Sequence, residues 1–181
     1  MTDRPPSPQT RRPEHPDAGS TNITVLVRDE REDGAEPQPV DEPRWATLAR
    51  AVLDQHGVDR AEMSVTFVGE RAMSELNERF MGHSGPTDVL AFPIDGQGGR
   101  ELHHELPRLI GDVVICPAIA AHNAPDHAGS YEDEVALLLV HGTLHLLGMD
   151  HAGAADRERM QQRERELLEE HHGVLARDPW S

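Results

Sequence analysis

One cysteine, Cys116, stands in 181 residues, so no intrachain disulfide can form and the chain reads as cytosolic. Aromatic residues make up 3% of the sequence and apolar residues 36%, a low share for a folded chain. The shortage is concentrated in residues 1–20 and at the C-terminal end, which leaves an ordinary foldable middle. No apolar run approaches the ~20 residues of a membrane span. The N-terminus also lacks the apolar stretch of a signal peptide. Positive charge is scarce: 17 Lys and Arg against 33 Asp and Glu leave a formal net charge of −16. That balance argues against broad adhesion to nucleic acid or to anionic membranes. A polyanionic substrate would need a local cationic site, which a bound metal can supply in part.

The length fits one domain with room for a sizeable core. Residues 1–20 are rich in proline and polar side chains without periodicity, the composition of a disordered tail. The domain is expected over residues 21–172, followed by a flexible tail over 173–181. NITVLVR (22–28) alternates as a strand does. A helix is expected after Asp41 or Glu42, with Pro43 in its first turn, Trp45, Leu48 and Val52 on its apolar face, and Gly57 as its stop. MSVTFV (63–68) predicts a second strand. Residues 70–81 predict a helix with Met73, Leu76 and Phe80 inward. GHSGPTDVLAFPI (82–94) runs into a third strand, DGQGGRELHH (95–104) is a polar turn, and RLIGDVVI (108–115) returns as a fourth. His103 and His104 in that turn read as exposed loop residues rather than metal ligands. A short helix over 117–123 precedes Pro125.

Ser130 and Asp133 form a capping-box pattern ahead of a helix that is apolar nearly all round from Val135 to Leu147. Such a helix is central and buried. Into it falls HGTLHLLGMDH (141–151). Four residues of helix advance about 400°, so His141 and His145 project from one face, one turn apart. Buried imidazoles need partners, and two on one face can share a metal ion. Gly148 allows a left-handed stop, which returns the chain so that His151 can meet the same ion. Three ligands and an open position are the arrangement of a catalytic zinc site. Zn²⁺ is the expected ion, with Ni²⁺, Co²⁺ and Cu²⁺ also suited to nitrogen ligands. Zinc proteases carry a glutamate after the first histidine of this spacing; here the position is Gly142. With three neutral ligands the ion keeps its full charge, which suits a phosphodiester better than a peptide.

These eleven residues are similar to the signature of the YbeY endoribonuclease family (rRNA maturation factors), H-G-x-L-H-L-x-G-aromatic-D-H. GPTDVLAFP (85–93) resembles the family's second block, P-T-(D/N)-V-L-S-F-P, and LIGDVVI (109–115) its third. The helix after the motif, with Met160 and a thin apolar stripe completed by Leu167 and Leu168, also fits. The resemblance spans about residues 22–170. It implies an α/β (α+β) single domain with a mixed four-stranded sheet and a central metal-binding helix. It also implies a cytoplasmic, zinc-dependent endoribonuclease specific for single-stranded RNA. Such an enzyme acts with the ribosomal small subunit in 16S rRNA 3′-end maturation and in 70S ribosome quality control. His141, His145 and His151 match the family's metal ligands.

The chain departs from the pattern at three places. Met149 replaces the aromatic residue, and Ala91 replaces the serine of the second block. Met81 stands where many members carry an arginine implicated in RNA handling. Arg79, two residues earlier, would point elsewhere on a helix by about 200°. Asp150 and Arg79 remain as further catalytic candidates, the first as an orienting group for a ligand histidine or as a turn residue bonded to backbone. Thr87 and Asp88 are candidates to line the cleft or cap a loop, and Arg79 and His83 to touch phosphate. Two other classes share these features: a metallohydrolase of peptides or small substrates, and a non-catalytic ribosome-assembly factor with a structural metal.

Overall fold

The computed structural model describes residues 21–32, 38–94, 106–150 and 152–181. The N-terminal tail, the polar turn with His103 and His104, and the third histidine of the motif, His151, lie outside the described residues. The elements run β1 (Asn22–Asp29), α1 (Glu42–Gln55), β2 (Arg60–Phe67), α2 (Glu70–Met81), β3 (Val89–Pro93), β4 (Arg108–Ile115), α3 (Pro117–Asn123), one 3₁₀ turn (Ala124–Asp126), α4 (Tyr131–Leu146) and α5 (Ala154–His171). The strands form one sheet in the order β1-β2-β4-β3. β1, β2 and β4 are parallel, and β3 returns antiparallel to β4, so the sheet is mixed.

Local chemistry accounts for the element starts. The Asp41 carboxylate accepts from the Arg44 amide at 3.1 Å at the head of α1, with Pro43 in the first turn. Ser130 Oγ accepts from the Asp133 amide at 3.1 Å at the head of α4. Along β1, Ile23, Val25 and Val27 turn inward, and their neighbours stay exposed. They join Trp45, Leu48 and Val52 of α1 and the apolar residues of α4 in the main core. A smaller cluster of Met73, Leu90, Val114 and Cys116 packs separately. Because successive strand residues face opposite sides, it occupies the other face of the sheet from Val113 and Ile115.

Three boundaries and one face differ from the sequence expectation. β2 begins at Arg60, because pairing with β1 starts at Asn22 opposite Arg60 and outruns the apolar alternation. α5 begins at Ala154, ahead of the charged run. In α2, Phe80 is 53% exposed rather than inward, and Asn77 is buried in its stead. Asn77 Nδ2 donates to the Gly85 carbonyl at 2.9 Å and so pins the loop leading to β3. Phe80 meets Phe92 edge-on instead, at 5.1 Å between ring centres. Residues 173–181, polar enough to suggest a tail, lie folded against the domain. The Arg177 amide donates to the Ala128 carbonyl at 3.0 Å, and Leu175 and Trp180 pack against the core.

α4 is the axis of the domain. It packs against α1, β3, β4 and α5, and Val135, Leu139, Val140 and Leu144 are fully buried. Truncating such a leucine to alanine costs about 2–5 kcal/mol. α5 runs antiparallel to α4, as two contacts establish. His172 Nε2 donates to Asp133 at 2.8 Å near the start of α4, and His141 Nδ1 donates to Glu164 at 2.7 Å two turns further along. Among the described residues, no helix is long and apolar enough to cross a membrane.

Candidate functional site

His141 and His145 meet as their spacing predicts. Their Nε2 atoms lie 3.1 Å apart, with the rings nearly perpendicular at 81°. Nδ1 of His141 donates to the Glu164 carboxylate, an acceptor-only group, and in the neutral ring that leaves the lone pair on Nε2. A lone pair aimed at another ring nitrogen requires a proton or a cation between them. Two nitrogens each 2.0–2.1 Å from a tetrahedral zinc ion would stand about 3.3 Å apart. The pair therefore fits as two ligands of one ion. Among the described residues, no group of three His, Cys, Asp or Glu side chains is placed to hold a metal, and His151 is outside that set.

The turn after the pair is built by Gly148, whose φ of 87° suits glycine. Its amide donates to the His145 carbonyl at 2.9 Å and the Met149 amide to the Leu144 carbonyl at 3.0 Å, which closes α4 with a Schellman motif. α4 thus ends at Leu146 and the chain turns at Gly148, the stop that the sequence suggests. Gly142 plays a different part. A Cβ there would lie 2.9 Å and 3.1 Å from the two methyls of Val113. α4 rests on the sheet at that point, and its histidines occupy another face. The glutamate of a zinc protease is thus excluded by packing as well as absent.

Two buried carboxylates back the site, and sequence reasoning missed both. Glu164, 3% exposed, accepts from His141 Nδ1 at 2.7 Å and from Trp180 Nε1 at 2.9 Å. It interrupts the stripe of Met160, Leu167 and Leu168 at helical spacing, and an acid within an apolar stripe is the signal that marks it. Glu134, fully buried in α4, accepts from His127 Nδ1 at 2.9 Å and 3.0 Å and from the Ala128 amide at 3.1 Å. It lies seven residues before His141, two helical turns along the same face.

A cleft of about 310 Å³ runs past these groups. Leu137, Leu138 and His141 of α4 form one wall, and Arg157, Met160, Gln161 and Glu164 of α5 the other. Asp88 and Val89 close one side, with His127, Pro179 and Trp180 completing the lining. The chain has no lysine, so its fixed positive charges are guanidinium groups, and among the described residues Arg157 is the one in this lining.

Of the further sequence candidates, Asp88 lines the cleft. Its carboxylate accepts from the Val89 amide at 2.8 Å and from Thr87 Oγ1 at 3.1 Å, the loop-capping reading of both residues. Arg79, His83, Met81 and Asp150 are not among the lining residues. Arg79 lies over the Phe80 ring at 5.2 Å, outside that lining. Asp150 is exposed beyond the Gly148 turn.

With this geometry in place, comparisons with known proteins bear on it. The family model described as Endoribonuclease YbeY matches residues 30–172. A protein of Beutenbergia cavernae named Endoribonuclease YbeY is 48% identical over 134 residues, covering 73% of this chain and 89% of the relative. A Thermobifida fusca protein of the same name is 47% identical, covering 72% and 85%. In three dimensions, the solution structure of a Thermotoga maritima protein aligns with a TM-score of 0.50 at 23% identity, covering 81% of this chain and 91% of that one.

Proposed function

The chain belongs to the YbeY endoribonuclease family, and from that premise we propose that it is a zinc-dependent endoribonuclease cleaving single-stranded RNA. Its proposed setting is the cytoplasm, in 16S rRNA 3′-end maturation and 70S ribosome quality control with the small subunit. The observation that carries the metal reading is the convergence of His141 and His145 Nε2 at 3.1 Å, with Glu164 holding the proton on the far side of the first ring. His151 completes the proposed ligand set. Held by three neutral imidazoles, a zinc ion would keep its full charge and would supply Lewis-acid polarisation to a phosphodiester.

The chain's own residues supply the rest. Glu164 fixes the tautomer and orientation of His141. Trp180, bonded to the same carboxylate, keeps that carboxylate in place and walls the cleft. Arg157 offers a planar fork to phosphate in a protein whose overall charge repels it. The lining is a groove between two helices, suited to an unpaired strand whose bases splay outward. The test is cleavage of single-stranded RNA, duplex RNA and peptide by the purified protein, with and without chelator. Chelator-sensitive cut of the single strand alone, lost in His145→Ala, is expected. Undiminished RNA cleavage by His145→Ala would overturn the metal-nuclease reading, and peptide cleavage would overturn the substrate class.

A further inference from the structure

His127 and Glu134 are unexplained by a histidine-metal centre. A fully buried carboxylate in an apolar helix is costly unless it is paired. The Ala128 amide and the His127 ring satisfy it, which by itself requires no exposure of the ring. The His127 side chain is instead 44% exposed and lines the same cleft as His141. Its Nδ1 is committed to Glu134, which leaves Nε2 as the ring atom able to meet a ligand.

We propose that His127, oriented by Glu134, hydrogen-bonds a ribose 2′-hydroxyl of a nucleotide flanking the cleavage point, and so reads RNA against DNA. This rests on the reading of the cleft as an RNA site. Position along the helix sets which nucleotide is met. Glu134 lies two turns before His141, a rise of about 10 Å. Glu134 is thus set apart from the histidine pair along α4, and a ring held at Glu134 suits a flanking nucleotide. Charge selects the sugar over the phosphate. The ring is backed by a carboxylate, so the dyad carries no net positive charge in either protonation state of the ring, and a phosphate gains little there. A hydroxyl both donates and accepts, so it bonds Nε2 in either state. Arg157 lies elsewhere: α5 runs antiparallel to α4, which sets Arg157 beyond Glu164 toward the Gly148 end. The cleft is therefore polar along its length, with phosphate held at the Arg157 end and ribose read at the His127 end. His127 is then a substrate-contacting residue and Glu134 its positioning residue.

The experiment is a 2′-deoxy scan. Single-stranded RNA oligonucleotides cleaved at one mapped bond carry one deoxy substitution each at the flanking positions. Affinity is read by fluorescence anisotropy on a His145→Ala background, and kcat and KM on the otherwise unaltered protein. One flanking deoxy position is expected to weaken binding and raise KM roughly 3- to 10-fold, the span of one net hydrogen bond. His127→Ala should show that loss on all-ribose RNA and be indifferent to the deoxy position; it also leaves the buried Glu134 short of a partner and lowers the melting temperature, so binding is compared at a temperature where circular dichroism shows both proteins folded. His127→Asn should recover part of the discrimination, which a structural role would not restore. The proposal is overturned if His127→Ala keeps the wild-type sensitivity, or if no flanking 2′-hydroxyl affects wild-type binding. Failure of the unaltered protein to cleave RNA would sink the nuclease reading instead, and the anisotropy arm would still decide the contact.

Discussion

Glu164 accepts the Nδ1 proton of His141 at 2.7 Å across the α4–α5 contact. The carboxylate makes the ring a better ligand and stops it from turning. Glu164→Gln preserves shape and can still accept from Trp180, but it removes the charge. Metal affinity is expected to fall about 10- to 100-fold. Competition against a chelating dye measures it, and an unchanged dissociation constant would mean that Glu164 has no hold on the site.

Gly142 is held to its size by Val113. An alanine in a helix interior gains about 0.5–1 kcal/mol over glycine, whereas overpacking a core costs about 1–3 kcal/mol. Gly142→Ala is therefore expected to lower stability in urea denaturation. Combined with Val113→Ala, the loss should be smaller than the sum of the two single losses, because the second change opens the space that the first needs. Strict additivity would place the clash elsewhere.

Arg157 is expected to act on phosphate as a charge. Arg157→Ala should weaken RNA binding to a similar degree across sequences and reduce the salt slope of the logarithm of the affinity by about 1. Arg79→Ala is the contrast, since Arg79 lies outside the cleft lining, and it should leave the slope as it is. A salt slope unaffected by loss of Arg157 would remove it from the binding track.

Acid stability should depend on Asp133. Burial raises the pKa of its carboxyl, but the bonds from His172, the Ala176 amide and Ser130 together outweigh burial and hold it below the usual value. A depressed carboxyl contributes stability that is present above its unfolded pKa, near 3.9, and is lost as pH falls through the folded value. The gap in melting temperature between wild type and Asp133→Asn should be full at pH 6 and close below about pH 4. A gap independent of pH would assign the effect to packing alone.

The sequence revealed what repeats locally. Alternation at Ile23, Val25 and Val27, the Asp41 and Ser130 caps, and the i, i+4 histidines all depend on neighbours within a few residues, and the structure keeps them. What it hid depends on distant partners. Asn77 displaces Phe80 from the inner face because a loop carbonyl eight residues on needs a donor. Glu164 and Glu134 read as solvated charges until a histidine from elsewhere in the chain is set beside each. Trp180 lies in a stretch that composition marks as a tail, and its bond to Glu164 exists only once α5 has packed.

The antiparallel packing of α4 and α5 has a thermodynamic corollary. His172–Asp133 and His141–Glu164 are two polar rungs between the same pair of helices. A slip by one helical turn, about 5.4 Å, would break both together and strand two carboxylates. The helix pair is thus keyed to one alignment, and losing it at either rung dismantles the histidine site. Hydrogen exchange at the Asp133 end, two helical turns from the histidine pair, should therefore report opening of the site as part of one cooperative unit.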